Sequence, residues 1–369
     1  MSLKDRLKKI RKKIADSDPT SAFSRWYILF IYKTWLLATG RFRKRKEKAY
    51  EVIDTFLAEE RKSDRKYVKY VYNDIFLCRF LYGMTAKEYF TFEFEKLSHE
   101  GRKTYLTRGN RYFYYNTFNS PNYTNFFHLK TETIRKFGQF YKRDALCMYG
   151  EEDFEAFSSF VASHPRFIYK PANDYGGHGI EIYDASHYES VRDLFDIIMF
   201  NGFCVVEELI VQADEIGRFH PQSVNTVRVV AFLRPDGETE IKWCLLRMGM
   251  GGSHIDNMSS GGLAAMIDPE TGVIYTSGRN WLGITHICHP DTGVQLVGYK
   301  MPEWEKLKET VTELSHVIPQ VRLVGWDLAY TEKGWVLVEG NARPQCVSAQ
   351  ITEFNGNKWR YQELVDKYS

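Results

Sequence analysis

Residues 323–341 read LVGWDLAYTEKGWVLVEGN. Two runs rich in β-branched and aromatic residues, Leu323–Thr331 and Gly334–Glu339, flank the turn Glu332-Lys333-Gly334, the pattern of an antiparallel hairpin. Three oxygen-bearing side chains ride on it. Asp327 lies on the first arm, and Glu339 and Asn341 end the second. On neighbouring strands these three can face one point. An Asp, a Glu and an Asn are hard oxygen donors of the kind Mg²⁺ takes together with phosphates.

Upstream, the strand-like run Arg166-Phe167-Ile168-Tyr169 ends in Lys170, and a glycine loop follows at 174–180 with Gly176, Gly177, His178 and Gly179. Bare backbone amides can close over phosphate oxygens while a lysine neutralises charge. Alone this loop is a weak signal. It is neither a GxxxxGK[ST] loop nor a dinucleotide fingerprint opening a helix. Val205-Val206-Glu207-Glu208-Leu209-Ile210 is a strand running into two acids, equally a buried strand with a solvated end or an edge for adenine and ribose. In Ser223–Val230, strand alternation sets Thr226 and Arg228 on one face and Val227 and Val229 on the other. An arginine there stabilises charge in phosphoryl transfer or makes a surface ion pair. The stretch from Arg247 to Gly262 is rich in glycine, with Ser253, Asp256, Asn257, Ser259 and Ser260 between, and suits a substrate-shaping loop or a plain linker. Taken together, the lysine, glycine loop and late acids imply Mg-ATP and phosphoryl transfer.

The bulk numbers narrow the alternatives. A length of 369 residues allows two or three structural units. The net charge of +3 conceals an asymmetry: residues 1–48 hold 15 Lys/Arg against 4 Asp/Glu, so the remainder is acidic. The basic segment lacks any stacking or groove-reading motif, which argues against nucleic acid. Within it, Trp26–Thr39 is about 14 residues long, carries Lys33, and is shorter than the roughly 20 residues a membrane span needs. It is flanked by the basic runs Lys8–Lys13 and Arg41–Lys48. Two readings stand: a helix packed on the protein's own core, or one lying on an anionic membrane surface. The six cysteines make no CxxC pair and no secretory signal opens the chain, so reduced thiols and a cytoplasmic location are expected, at the inner membrane face if residues 1–48 dock there. His286-Ile287-Cys288-His289 lacks zinc spacing and a second ligand pair.

Along the chain, 1–48 is a basic amphipathic segment and 49–115 a helical region. In the latter, Tyr67, Tyr70, Val71, Asp74, Ile75, Cys78 and Leu81 follow a helical period. Gly83 stops that helix, and Thr85 caps another over Ala86–Leu97. Residues 111–127 read as a linker or loop. Strands are expected at Phe167–Lys170, Ile180–Tyr183, Phe203–Val211, Val224–Arg234 and Thr239–Met248, and a hairpin pairs Leu263–Asp268 with Val273–Ser277. Helices are expected at Lys130–Phe140, Ser186–Phe200 and Pro302–Val317. The fold class is α+β, with largely antiparallel sheets and helices on them.

At these residues the sequence resembles the ATP-grasp superfamily, and more closely the sugar-transfer-associated ATP-grasp proteins found with polysaccharide biosynthesis. The likeness covers roughly residues 65–350 and includes SVNTVRVV at 223–230, DNMSSGG at 256–262, HPDTG at 289–293, GWD at 325–327 and EGNARP at 339–344. It implies an ATP-grasp domain over 116–369. Two α+β subdomains, at about 125–210 and 211–369, would clamp ATP. By the resemblance, Lys130 and Lys170 contact ATP phosphates under the loop 176–179. Glu207 to Ile210, including Glu208 and Leu209, form the adenine hinge, and Asp214 or Glu215 reaches the ribose. Asp327, Glu339 and Asn341 hold Mg²⁺. The implied reaction is carboxylate–amine ligation through an acyl phosphate on a glycan precursor such as a uronic acid. Arg228 and Arg343 would stabilise the transferring phosphoryl group. Arg247 and the amides of the loop with Gly252 and Gly261 would hold the oxyanion. A kinase acting on a glycan hydroxyl and a non-catalytic glycan-assembly protein with an ATP site are the alternatives.

Overall fold

The strand runs read from the sequence assemble into two antiparallel sheets in a computed structural model that describes residues 19, 21–172, 179–253, 256, 258 and 261–369. The chain forms two units. The first comprises the chain up to Tyr114 together with Cys346–Lys367, and the second comprises Tyr115–Gln345 with Tyr368–Ser369. The C-terminal stretch 346–367 therefore belongs to the first unit, where 116–369 was expected as one domain. Its helices, Val347–Glu353 and Lys358–Tyr368, bury Val347, Ile351, Tyr361 and Leu364 there, and no local signal announces which partner such faces will find.

The first unit is helical, as expected. Ala22–Ala38 is capped by Ser21 and buries Ile28, Tyr32 and Leu36, so one face of this stretch packs on the unit's own core. Arg65–Tyr82 starts at Asp64, whose carboxylate accepts from the Lys66 and Tyr67 amides. It ends at Gly83 in the left-handed region, φ +72°. Thr85 and Glu88 cap each other's amides reciprocally. The helix they open stops at Thr91, earlier than expected, and a 3-10 turn Phe94–Lys96 follows. Asp74 sits inside the apolar period of its helix yet is fully buried. Its oxygens accept from Arg102 (2.8 Å), Arg25 (2.9 Å) and Tyr89 (3.0 Å), which join four helices through one carboxylate.

In the second unit we number the described strands β1 Ala145–Met148, β2 Arg166–Pro171, β3 Glu181–Asp184, β4 Cys204–Glu208, β5 Thr226–Leu233, β6 Thr239–Met248, β7 Leu263–Ile267, β8 Gly278–Asn280, β9 Thr285–His286, β10 Leu323–Thr331 and β11 Gly334–Asn341. The smaller sheet has the order β1-β4-β2-β3 and the larger β11-β10-β5-β6-β7-β8-β9. Helices Phe154–Ser163 and Val191–Phe200 cover the smaller sheet through Phe157, Phe160, Leu194 and Phe195. Lys130–Tyr141 and Trp304–Val317 cover the larger through Phe137, Leu307, Val311 and Leu314. The expected arm Val273–Ser277 is reduced to isolated bridges, Ile274 with Ile267 and Val273 with Lys300. The Asp268 carboxylate takes over the turn there, accepting from the Glu270 and Thr271 amides.

Residues 111–127 are not a linker. They hold the helix Arg111–Phe118 and a 3-10 turn Thr124–Phe127, because Tyr114, Tyr115, Phe118 and Phe127 are core residues. Asn119 then acts as a clamp on β10 and β11. Its amide nitrogen donates to the Leu323 and Ala342 carbonyls (2.8 and 2.6 Å), and its oxygen accepts from the Leu323 amide at 2.8 Å.

Gly340 shows how tightly this hairpin is packed. A Cβ there would lie 2.7 Å from the Trp326 ring and 3.1 Å from Phe127, neither of which has room to rotate away. Overpacking a buried contact costs about 1–3 kcal/mol. Gly340→Ala is therefore expected to lower stability by about that amount in denaturant unfolding. A midpoint equal to wild type would show that Trp326 is less constrained than its burial indicates.

Candidate functional site

Register brings the late acids together. Asp327 of β10 pairs with Glu339 of β11 on one side and Arg228 of β5 on the other, and Gly325 pairs with Asn341. Directly opposed residues of an antiparallel pair share a face. Arg247 of β6 opposes Thr226, two residues along from Arg228, so it shares that face too. A β-bulge makes the pairing work: the register shifts between Asp327 and Leu328, which is opposed by Leu337. Were the ladder regular past Leu328, Val338 would oppose Asp327, and Glu339 would fall opposite Trp326 on the other face. Bulges re-aim side chains in this way beside functional sites.

The Asp327 carboxylate is gripped by two guanidinium groups. Arg228 donates through Nε to Oδ1 and through Nη2 to Oδ2 at 2.6 Å, and Arg247 donates to Oδ2 at 2.9 Å. Arg247 also donates to Asp256 at 2.7 Å, and Asp256 accepts from the Thr226 hydroxyl, so the glycine-rich segment is tied to β5 and β6. Burial works to raise the Asp327 pKa, but Arg228 and then Arg247 outweigh it and hold the carboxyl below its usual range. Glu339 differs. Its side chain is exposed, and no hydrogen bond or ion pair holds it among the described residues. Lost hydration and then Asp327 raise its pKa, and the more distant arginines and Lys170 offset this only in part. An unpartnered carboxylate kept beside a second one fits a cation site. The set Asp327, Glu339 and Asn341 suits a hard divalent cation, since each carboxylate oxygen accepts more than one contact.

Across from these, Lys170 of β2 donates to Glu207 Oε1 of β4 at 2.7 Å. Arg143 donates to Glu207 Oε2 through Nη2 at 2.6 Å and to the Leu337 carbonyl of β11 at 2.7 Å, which links the two sheets. All three side chains are buried. The Glu207 carboxyl, pushed up by burial, is pulled lower overall by two cations. Lys170 has one anion and a rival cation in Arg143, so burial prevails and its pKa is lowered. The Glu207 carboxylate is thus paired with both Lys170 and Arg143. Arg143 was missed; it stands alone before an unremarkable strand and carries no motif.

The structure places the other expected residues as follows. Lys130 donates to the Pro171 carbonyl at 2.8 Å, which sets it beside the end of β2 and Lys170. Gly179 follows at φ +67°. Gly176, Gly177, His178, Asn257, Ser259 and Ser260 lie outside the described residues. Glu208 accepts from the Asp144 amide at 3.1 Å, and Leu209 and Ile210 are half-buried. Asp214 and Glu215 are exposed at the start of the short helix Asp214–Gly217, whose Ile216 and Gly217 are buried. Arg343 lies near His128, whose pKa is lowered by burial and by that charge. Gly252, Ser253 and Gly261 flank Asp256 in the glycine-rich segment. Its base is pinned by two buried imidazoles: His220 Nε2 contacts the Gly251 carbonyl at 3.0 Å and His289 Nε2 the Gly249 carbonyl at 2.9 Å. Asp291 accepts from the Gly251 amide at 2.6 Å. The HPDTG turn is therefore the anchor of that segment.

Two substitutions separate structural from functional carboxylates. Glu207→Gln leaves Lys170 and Arg143 buried without their anion and is expected to cost about 3–5 kcal/mol. Glu207 and Asp327 have depressed folded-state values, so their stabilisation is complete above the ordinary carboxylate range and is lost as pH falls through the folded values, below about pH 4. Glu207→Gln should also flatten that acid limb. Glu339 has the opposite sign: its charge is unfavourable above the raised folded value, so Glu339→Gln should leave the thermal midpoint at pH 7 equal or higher. The same variant should lose any upward shift of the midpoint by Mg-ATP. A clear destabilisation of Glu339→Gln would make that residue structural.

The family model for sugar-transfer associated ATP-grasp proteins matches residues 128–365. No curated protein matches the chain. Among solved structures, the chain is similar to an N5-carboxyaminoimidazole ribonucleotide synthetase in its ADP complex, with 11% identity, 60% of this chain and 46% of that chain covered, and a TM-score of 0.39. It is similar to the D-alanyl-alanine synthetase A of Vibrio cholerae, with 11% identity, coverages of 65% and 64%, and a TM-score of 0.39. It is also similar to a D-cycloserine synthetase, with 12% identity, coverages of 77% and 82%, and a TM-score of 0.41. The chain spans about half to two thirds of the length of the first two. Likenesses this distant carry no argument about chemistry; the family match does not depend on them. With that match over most of its length, the chain belongs to the sugar-transfer-associated ATP-grasp family.

Proposed function

We propose that this protein is an ATP-dependent, ADP-forming carboxylate–amine ligase that activates an acid on a glycan precursor, such as a uronic acid, and joins it to an amine or amino acid. One observation carries the reading: Asp327, Glu339, Arg228 and Arg247 share one sheet face, and Glu339 is left without a partner. Lys130 and Lys170 at the end of β2 would meet the phosphates, with the glycine loop over them. Asp327, Glu339 and Asn341 would hold Mg²⁺, which supplies charge neutralisation at the phosphates when bound.

The chain's own residues then account for the rest. The substrate carboxylate attacks the γ-phosphorus, the bond to the β-phosphate oxygen breaks, and ADP leaves with that electron pair. Negative charge on the transferring group is met by Arg228, with Arg343 nearby. The amine attacks the acyl carbon, its proton is lost, and inorganic phosphate departs. Arg247, held between Asp327 and Asp256, is placed to meet the oxyanion of that second step. No Ser, Cys or His nucleophile is required, since positioning and electrostatics carry such reactions. The sugar-transfer description of the family is what supports a glycan-linked acid.

Hydroxylamine trapping tests the reading. With Mg-ATP and a panel of uronic acids, sugar nucleotides and amino acids, the expected result is ADP release with a hydroxamate formed from one acid. ADP release with a stable phosphorylated product and no hydroxamate would instead identify a kinase. ATP binding without turnover on any acid would point to a non-catalytic role.

A further inference from the structure

The helical first unit has no part in the chemistry above, yet it carries a surface that its own packing leaves open. On the helix Ala22–Ala38 the face opposite Ile28, Tyr32 and Leu36 presents Phe23, Trp26, Phe30 and Leu37, each 58–74% exposed, with Tyr27 beside them. The Trp26 and Phe30 rings stack at 5.7 Å. Isolated exposed apolar residues are ordinary, but a contiguous aromatic row on one helix is not.

Lys33 falls within the same stripe, three residues after Phe30 and four before Leu37. It opens onto a cavity of about 410 Å³ lined by Lys33, Lys62, Arg65, Lys69, Tyr50 and Tyr72. Lys62 is neutralised by Glu59 at 2.6 Å. Among the described residues Lys33 has only uncharged partners: the Asn73 oxygen at 2.7 Å, the Tyr72 ring at 4.9 Å and the Phe76 ring at 5.4 Å. Among the described residues no carboxylate pairs with Lys33, Arg65 or Lys69. Burial and then the nearby Lys69 lower the Lys33 pKa, the sign of cations gathered without an anion. Beyond the stripe, the next helix begins with Arg41, Arg43, Lys44, Arg45, Lys46 and Lys48, of which only Arg43 and Lys48 pair with acids among the described residues.

We infer that the helical unit docks on an anionic lipid bilayer: the Phe23–Leu37 stripe enters the headgroup boundary, and the cavity at Lys33, Arg65 and Lys69 receives a lipid phosphate. The charge selects this occupant. A water-soluble protein partner or a second copy needs an acidic, apolar counter-surface. A bilayer containing phosphatidylglycerol supplies apolar depth and a plane of phosphates together. No described helix is long and apolar enough to cross a membrane, so the contact is peripheral. A ligase held there would meet membrane-linked acceptors, although the docking stands whether or not the ligase reading holds.

The test is sedimentation of the full-length chain with mixed phosphatidylcholine–phosphatidylglycerol vesicles and with phosphatidylcholine alone. Binding is expected for the mixed vesicles, weakened by high salt. Tryptophan quenching by lipids brominated near the headgroup should accompany it in the unaltered chain. Trp26→Ser with Phe30→Ser should lose binding at least tenfold. Arg65→Gln with Lys69→Gln should lose on the order of thirtyfold on anionic vesicles only. All four side chains are exposed, and thermal melts equal to wild type would confirm intact folds. Four outcomes overturn the inference: no vesicle binding by the intact chain, wild-type binding by both variants, a midpoint raised by inorganic phosphate without vesicle binding, or self-association that the aromatic variant abolishes.

Discussion

Everything at the candidate site turns on one buried carboxylate shared by two arginines. Asp327 is only 3% exposed, and such a charge is tolerated inside a protein when opposing charges and hydrogen bonds surround it. Arg228 and Arg247 supply both, from strands β5 and β6, and Arg247 passes the restraint on to Asp256. One interaction thus ties together three strands and the entry of the glycine-rich segment. In the smaller sheet, Glu207 repeats the arrangement with Lys170 and Arg143. In both centres a buried carboxylate placed between two cations offsets their mutual repulsion.

Much of this could be read from the chain because it depends on local periodicity. The hairpin at 323–341, the alternation at 223–230 and the helix expected at 130–140 follow from apolar spacing and turn chemistry, and the Thr85 cap from hydrogen-bond logic. The resemblance in the GWD and EGNARP segments brought Asp327, Glu339 and Asn341 forward as a set. What could not be read was anything set by a partner far away in sequence. The bulge at Asp327, the choice of Glu207 as counterion, the clamp made by Asn119 and the return of 346–367 to the first unit each depend on contacts that no window of the chain contains. Arg143 is the plainest case: its neighbours give no hint, and its role exists only where β4 meets β11. The segment 111–127 misled because aromatic and Asn-rich composition suggests a loop, while burial of Tyr115 and Phe118 overrides it.

The first unit shows the same economy. Asp74 draws Arg25, Arg102 and Tyr89 onto one helix, and Arg25 belongs to the helix that carries the aromatic stripe. That helix is therefore held along one face, while Phe23, Trp26, Phe30 and Leu37 on the other are exposed. Packing on the protein's own core, one of the two readings of the sequence, describes the first of these faces.

The double grip on Asp327 also bears on cohesion. Sites that depend on a bound ion to hold together fall apart when the ion is stripped. Asp327 carries two guanidinium counterions supplied by the chain itself, so β5, β6 and β10 stay joined at this point whatever ions the solution contains.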